Sequence, residues 1–236
     1  LGFGNVGPAG ATWQVTVTCT DPDVGPDFEP DPVDPEHVAN PDAGWYHGDF
    51  HMHGYHSNNN APEWQEEVDT ARAAGLDFLP ITDYVTGQHW DELGAIQEAN
   101  PDVVIWPGRE IITYSGHANA LGETRSVLEY RHGFEGVSLR DIQDQTLDDG
   151  ALFQMNHPDF FPPPLSPFCR GCFFELQDTI DLDRVDTIEV LTGPILFSPT
   201  DLGAPAGGEL LPNPFVQNAI DRWEGLLLAG HRITAV

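Results

Sequence analysis

From residue 45 onward, apolar and polar positions alternate in a repeated order of strand, turn and helix. Trp64, Val68 and Ala71 recur at helical spacing in the stretch APEWQEEVDTARAAG. Pro62 lies where a first turn would form, and Gly75 lies where a helix would stop. The next stretch, LDFLPITD, is an apolar run that ends in polar residues, which is typical of a buried strand.

The same design recurs three times further along the chain. DVVIWPGRE (102–110), GALFQMNHP (150–158) and VDTIEVLTG (185–193) each place Gly, His, Glu or Asn after an apolar run. An amphipathic stretch at 214–229 predicts a final helix, and RITAV (232–236) predicts the start of another strand. In a parallel α/β barrel the C-terminal ends of the strands meet on one face, where the chemistry is done. The pattern therefore predicts an α/β fold with a polar site at that face.

The first 44 residues have a different composition. ATWQVTVTCT (11–20) alternates in the period-two pattern of a half-buried strand, so residues 1–20 are interpreted as the last strand of a β-type domain or an N-terminal extension. Residues 21–44 are rich in Pro, Asp and Glu and predict an acidic linker, or a loop wrapped on the surface. Residues 45–236 form the predicted main domain, which we expect to be C-terminally incomplete because the sequence stops just after RITAV begins a new unit.

The charge balance of the chain is extreme. Its 236 residues carry 38 acidic and 9 basic side chains, a formal net charge of −29, and all basic residues are arginine. Such a surface argues against nucleic acid or an anionic membrane as the main partner, since both are bound by displacing counterions with basic side chains. No apolar run is long enough to span a bilayer. The composition favours an extracellular, cell-surface or high-salt setting, with compositional drift as the alternative; the oligomeric state is not indicated.

The folded state is expected to gain stability as ionic strength rises, because salt screens the mutual repulsion of the acidic side chains. The measurement is the melting temperature between low and molar NaCl, with a neutral osmolyte at matched osmolality as the control. A melting temperature that stays flat or falls would leave only compositional drift as the explanation of the charge.

Cysteine is sparse. Cys169 and Cys172 form a single C-x-x-C pair, and Cys19 stands alone. A zinc knuckle would need a second pair, so the C-x-x-C predicts either a local disulfide in an oxidising compartment or a reduced structural pair.

Candidate metal ligands begin at the motif GDFHMH. His51 and His53 are two residues apart, so on a strand they point to the same side, roughly 6.6 Å apart along the chain. Later apolar runs add Glu110 in PGRE, His117 in SGHAN and His157 in NHP. Imidazole and carboxylate together are ligands that suit a divalent transition metal, Zn, Mn or Fe, better than calcium.

These motifs, taken in order with LDFLPITD and DTIEVLTG, resemble the PHP (polymerase and histidinol phosphatase) superfamily, in particular its branch of carbaryl-type ester hydrolases and metallophosphoesterases. The resemblance runs from about Trp45 to the end and implies a distorted (β/α)₇ barrel with clustered metals on its C-terminal face. It also implies that His51 and His53 bind a first metal, that Glu110 bridges to a second, and that His117 and His157 complete the second site.

Two departures from the family pattern lower the expected number of metals to two. Asn58 stands where the family has an acidic residue, and Thr82, Asp83 and Tyr84 stand where it reads Thr-Asp-His. Neither an amide nor a phenol of high pKa is a good cation ligand. The last family motif, Gly-Ser-Asp-x-His, is missing from the sequence given, which ends before its expected position.

Other polar residues near these motifs are interpreted as supporting groups, substrate contacts or surface residues. Asp49 is interpreted as a carboxylate that orients a metal-bound histidine rather than as a ligand, and Asp49, Glu110 and Arg109 are the catalytic candidates. Arg109 is suited to gripping an anionic substrate group, with a structural ion pair as the alternative. Glu189 is expected to face the same mouth, as a support for the ligands or a substrate contact. The remaining histidines are interpreted as solvated or capping: His37, His47, His56, His89, His132 and His231.

These features predict a metal-dependent hydrolase of small phosphate or carboxyl esters, in which two cations held about 3.5 to 4 Å apart activate a shared water. No Gly-x-Ser-x-Gly elbow offers a competing nucleophile. The alternative is a non-catalytic binding or surface-assembly protein on a degraded PHP barrel, and a nuclease is disfavoured by the acidic surface.

Overall fold

A computed structural model describes residues 12, 14–19, 29–57, 61–123, 129–166, 169–193, 195–197, 209–211 and 213–236. Its helices are α1 (Trp64–Ala74), α2 (Leu93–Ala99), α3 (Leu139–Asp148) and α4 (Val216–Leu228). Short 3₁₀ turns lie at Gln88–Asp91, Gln177–Thr179 and Leu182–Arg184. The strands are β1 (Phe78–Ile81), β2 (Val104–Ile112), β3 (His117–Leu121), β4 (Leu152–Met155), β5 (Thr187–Ile188), β6 (Ile195–Phe197), β7 (Glu209–Leu211) and β8 (Thr234–Ala235).

Helix α1 and most of the predicted strands form where the apolar pattern places them. Helix α1 ends at Gly75, whose φ of 77° lies in the left-handed region that glycine adopts without steric cost. Helix α3 was missed by the sequence reading, although Ser138 and Asp141 form a reciprocal capping box at its start. In the described part of the chain, no helix has the length and apolar character needed to cross a membrane.

The main sheet has six strands in the order β1-β2-β3-β4-β5-β8, and β6 pairs with β7 in a separate ribbon. Strand β3 runs antiparallel to both β2 and β4, whereas the other pairs are parallel. A full (β/α)₇ barrel, the distorted arrangement that the resemblance implies, is not confirmed by the described residues: β2 and β3 follow each other as a hairpin, with only four residues between them and no crossover helix. The fold is mixed α/β.

The sheet is strongly curled. Gly48 pairs with Phe78 at the outer edge of β1, so the segment after Gly48 starts from one side of the sheet. The carbonyl oxygen of Phe50 nevertheless accepts hydrogen bonds from Asn119 in β3 and Gln154 in β4, at 3.1 and 3.3 Å. The segment that contains GDFHMH thus crosses the concave face of the sheet and reaches the middle strands.

Side chains of alternate residues separate the two faces of the sheet. Ile111, Ala118 and Phe153 point outward into an apolar core with α3 and α4, while α1 and α2 cover β1 and the start of β2 in a second core. Glu110, Asn119 and Gln154 are buried as well, and they carry the polar groups of the concave face. This alternation places the polar residues of three neighbouring strands together.

The N-terminal prediction of a half-buried strand does not hold for the part described. Residues 14–19 form no strand, and Val15 and Val17 are 54% and 81% exposed. An alternating pattern stabilises a strand only where a partner supplies hydrogen bonds and a face to bury. In the predicted linker, Asp31 exchanges backbone hydrogen bonds with Asp91 and Gly94, so this part lies on the surface of the main domain. The division at residues 20 and 44 remains a prediction.

Candidate metal centre

Four imidazoles surround the carboxylate of Glu110, which is 1% exposed. Its Oε2 lies 3.3 Å from His51 Nε2 and 3.1 Å from His53 Nε2. Its Oε1 lies 3.2 Å from His117 Nδ1 and 3.4 Å from His157 Nε2. The structure therefore brings together all five residues that the sequence named as metal ligands, with two imidazoles at each oxygen of one carboxylate.

Each ligand reaches the cluster from a different backbone position. Glu110 lies within β2, not after it, and a backbone bridge joins it to Tyr84 at the end of the β1 segment. His117 opens β3, and because β3 is antiparallel its beginning lies at the edge where β2 and β4 end. His157 follows β4. The His51–His53 segment is fixed by Thr82, which hydrogen bonds to both the N–H and the carbonyl of Met52.

In three of the four imidazoles, the ring nitrogen that faces away from Glu110 lies beside a hydrogen-bond acceptor. His51 Nδ1 lies 2.8 Å from Glu189 Oε2, and His117 Nε2 lies 3.0 Å from the carbonyl oxygen of Arg170. Both partners only accept, so each of these ring nitrogens carries the proton. The nitrogen that faces Glu110 is then the bare one in the neutral ring.

His53 is oriented by a two-step contact that sequence reasoning missed. Its Nδ1 lies 3.2 Å from Ser57 Oγ, which itself donates to Asp83 Oδ1 at 2.7 Å and accepts from the Tyr84 N–H at 2.7 Å. With its single proton given to Asp83, the Ser57 hydroxyl has only an acceptor site left for His53. The bare nitrogen of His53 is therefore Nε2, which points at Glu110.

As a result, hydrogen-bond acceptor atoms face one another inside the cluster. His51 Nε2 and His53 Nε2 are only 3.0 Å apart, and both face Glu110 Oε2. Lone pairs at these distances repel unless a proton or a cation lies between them. His51, His53 and Glu110 form one group able to hold a metal ion, and a second group shares His51 and adds His157 and Glu189. The donor set fits a divalent transition metal.

In the metal-free protein, the local charges favour a proton on His51 in place of a cation. Burial lowers the pKa of His51, but the charges and hydrogen bonds of Glu110 and Glu189 outweigh burial and hold that pKa well above its usual range. For Glu110 the two effects have the opposite sign. Burial raises its pKa, but the surrounding imidazoles, His51 first, outweigh burial and bring that pKa well below its usual range. A cation that bound here would displace a proton, so metal affinity is expected to rise with pH.

A network of amides holds Glu110 from below. Asn156 Nδ2 donates to Glu110 Oε1 at 3.2 Å and to Asn119 Oδ1 at 2.7 Å, and Gln154 donates to Asn156 at 3.1 Å. All four side chains are buried. Satisfied polar networks of this kind rigidify the groups they contain.

Two catalytic candidates from the sequence lie elsewhere. Arg109 points to the opposite face of β2 from Glu110, where its Nε lies 3.3 Å from Glu123 Oε2 and its guanidinium stacks over Trp90 and Tyr130. This is the structural ion pair, because neighbouring residues on a strand face opposite sides. Asp49 is exposed, and its Oδ1 accepts from the backbone N–H groups of Phe50 and His51. The carboxylate that orients the His51 ring is Glu189.

The departures from the family pattern have different outcomes. Tyr84 packs on His53 with ring centroids 4.1 Å apart, and partial burial followed by the charges of Glu110 and Asp83 raises its pKa to about 12, so the phenol stays neutral. Asn58 lies outside the described residues.

His89 was expected to be solvated and is instead fully buried, with Nε2 against the carbonyl oxygens of Gly108 and Ile81. Burial lowers the pKa of His89 to about 4.

Comparisons with known proteins include a likeness to a solved structure. No protein-family model matches the chain, and no curated protein matches it. A solved two-domain protein from Bacteroides vulgatus, which contains a predicted PHP-like metal-dependent phosphoesterase, is similar at 22% identity with a TM-score of 0.47. The match covers 76% of this chain and 55% of that protein, so the chain spans about half of its length. What the site can do follows from its own donor atoms.

Proposed function

We propose that this chain is a metal-dependent hydrolase of small phosphate or carboxyl esters. The observation that carries the proposal is the position of Glu110, whose two carboxylate oxygens each face two imidazole nitrogens. His51 and His53 with Oε2 would hold one cation, and His117 and His157 with Oε1 a second. Cations held in this way act as Lewis acids on an ester oxygen and make bound water a nucleophile near neutral pH.

The protein's own groups would keep the donors in place. Glu189, Ser57 and the Arg170 carbonyl fix three ring orientations, as second partners of metal-ligating histidines usually do. The amide network positions the shared carboxylate without adding charge beside it. These contacts mean that little reorganisation is needed when the site is loaded.

Exposed apolar side chains follow the strands that carry the cluster. Tyr84 packs on His53, Tyr114 follows β2, and Leu191 lies two residues after Glu189 with 70% of its surface exposed. The guanidinium of Arg170 lies 5.6 Å from the Tyr114 ring centroid, beside the same edge. We propose that this rim receives an ester with an apolar or aromatic group, and that Arg170 contacts its anionic part.

An extracellular or cell-surface location remains part of the proposal. Its support is the acidic, lysine-free composition together with the disulfide between Cys169 and Cys172, since disulfides persist mainly in oxidising compartments.

The test is hydrolysis of chromogenic p-nitrophenyl esters by protein loaded with Mn²⁺ or Zn²⁺. Phosphate monoester, phosphate diester and short carboxyl ester probes are compared before and after chelation. Replacement of His53 with Ala is expected to lower kcat/KM by roughly 100-fold or more, because it removes a ligand. The control is His37→Ala, whose ring instead contacts the Pro101 carbonyl. Bound metal without turnover of any probe would contradict the proposal and favour the non-catalytic alternative.

A further inference from the structure

The Cys169–Cys172 disulfide lies against the second pair of imidazoles. Cys172 is 4% exposed, and its Sγ lies within 4.8 Å of one ring nitrogen each of His117 and His157, with all three residues buried. Cys169 does not belong to this group. The two sulfurs of one disulfide therefore have different surroundings, and only one faces the candidate metal centre.

The backbone holds the C-x-x-C turn against His117 independently of the bond between the sulfurs. The Arg170 carbonyl accepts from His117, and Gly171, at φ 89°, lies so close that a Cβ there would come within 2.5 Å of His117 Nε2. Beyond the turn, the Phe174 N–H donates to the Pro158 carbonyl and the Glu175 N–H to the Ser115 carbonyl, at 2.8 and 2.7 Å. Cys172 is thus anchored on both sides by hydrogen bonds that do not involve its sulfur.

We propose that Cys172 is a redox-gated metal ligand, which joins His117 and His157 when the disulfide is reduced. Reduction adds two electrons and two protons to the sulfurs, supplied by a dithiol that becomes a disulfide, and yields two thiols. The Cys172 thiol then gives its proton to solvent as its sulfur binds the cation, while the Cys169 thiol stays free. The proposal rests on the proposed function only in that His117 and His157 bind metal.

Gating of this kind changes which metal the second half of the cluster prefers. With the disulfide formed, the donors are the nitrogens of His117 and His157 and the Oε1 oxygen of Glu110. With Cys172 added, a sulfur joins the two imidazole nitrogens, and a sulfur donor favours softer ions such as Zn²⁺ over Mn²⁺. The redox state of one disulfide would thus set the metal content without moving the ligands.

The experiment uses Co²⁺ as a spectroscopic probe in protein whose exposed Cys19 is replaced with Ser. Cys169→Ser and Cys172→Ser both remove the disulfide and are matched in size and polarity. Cobalt bound to thiolate gives a sulfur-to-metal charge-transfer absorption in the near ultraviolet. That absorption is expected in Cys169→Ser, with Co²⁺ affinity at the second half on the order of tenfold tighter, and it is expected to be absent from Cys172→Ser.

The parent protein provides a second measurement should either variant fold poorly. Reduction with a phosphine, which with one water yields two thiols and a phosphine oxide and adds no competing thiol, is expected to produce the same absorption. Its absence from both the reduced parent and Cys169→Ser would overturn the proposal. If cobalt still gives the visible absorption of nitrogen and oxygen ligation in those samples, the proposed function survives; if no cobalt binds at all, both fail.

Discussion

Replacement of Glu110 with Gln is expected to lower metal affinity at both halves of the cluster, on the order of 100-fold or more, and to remove hydrolysis with it. The amide keeps the size of the side chain but loses the negative charge and one of the two acceptor oxygens. Since each carboxylate oxygen faces two imidazole nitrogens, neither half keeps its full donor set. Metal per chain is counted by mass spectrometry after equilibration with Mn²⁺ or Zn²⁺.

Two further variants show whether this effect is specific. His157→Ala is expected mainly to empty the second half, because the His157 ring lies at Oε1 of Glu110. Asp49→Asn is the matched carboxylate-to-amide control, since the Asn oxygen can still accept the backbone N–H groups of Phe50 and His51. Equal metal content in Glu110→Gln and Asp49→Asn would refute the bridging role, as would the loss of only one ion from Glu110→Gln.

The second large effect is expected from Glu67, a buried carboxyl on α1 away from the metal ligands. Glu67 is 3% exposed, and neither of its carboxylate oxygens has a hydrogen-bond partner among the described residues. Burial, followed by the charge of Asp83, raises the pKa of Glu67 to about 8. Replacement with Gln is expected to stabilise the protein at pH 9 by on the order of 4 kcal/mol and to change little at pH 4.

The direction of this pH dependence follows from the pH at which Glu67 loses its proton in the unfolded and in the folded protein. The unfolded chain releases the Glu67 proton near the ordinary pKa of 4.5, whereas the folded protein keeps it to about pH 8. The stability contributed by Glu67 is therefore complete below pH 4.5 and is lost as pH rises toward 8. Gln has no proton to lose, so the variant escapes this loss.

Urea unfolding of chelated protein between pH 4 and 9 measures the difference in the free energy of unfolding. Glu66→Gln, on the exposed side of the same helix, is the matched control. Parallel stability curves for the parent and Glu67→Gln across this range would show that Glu67 ionises normally in the folded protein.

Local pattern in the sequence was enough to locate α1, most strands of the main sheet, and the five residues His51, His53, Glu110, His117 and His157. Helical and period-two spacing depend on neighbours a few positions away, so they can be read from a single chain. Ligand chemistry is also a local property, because imidazole and carboxylate are present whatever the fold. The ligand roles themselves stay predictions until metal is measured.

Only the tertiary structure decided the direction of β3, the outward position of Arg109 and the burial of His89. It also decided that the carboxylate at the His51 ring is Glu189, 138 positions along the chain, and not Asp49. The contact between the Arg170 carbonyl and His117 was decided in the same way. These outcomes depend on how the sheet curls and which face of a strand turns inward. A shift of one residue reverses that face, and contacts between distant segments leave no periodic trace in the sequence of either one.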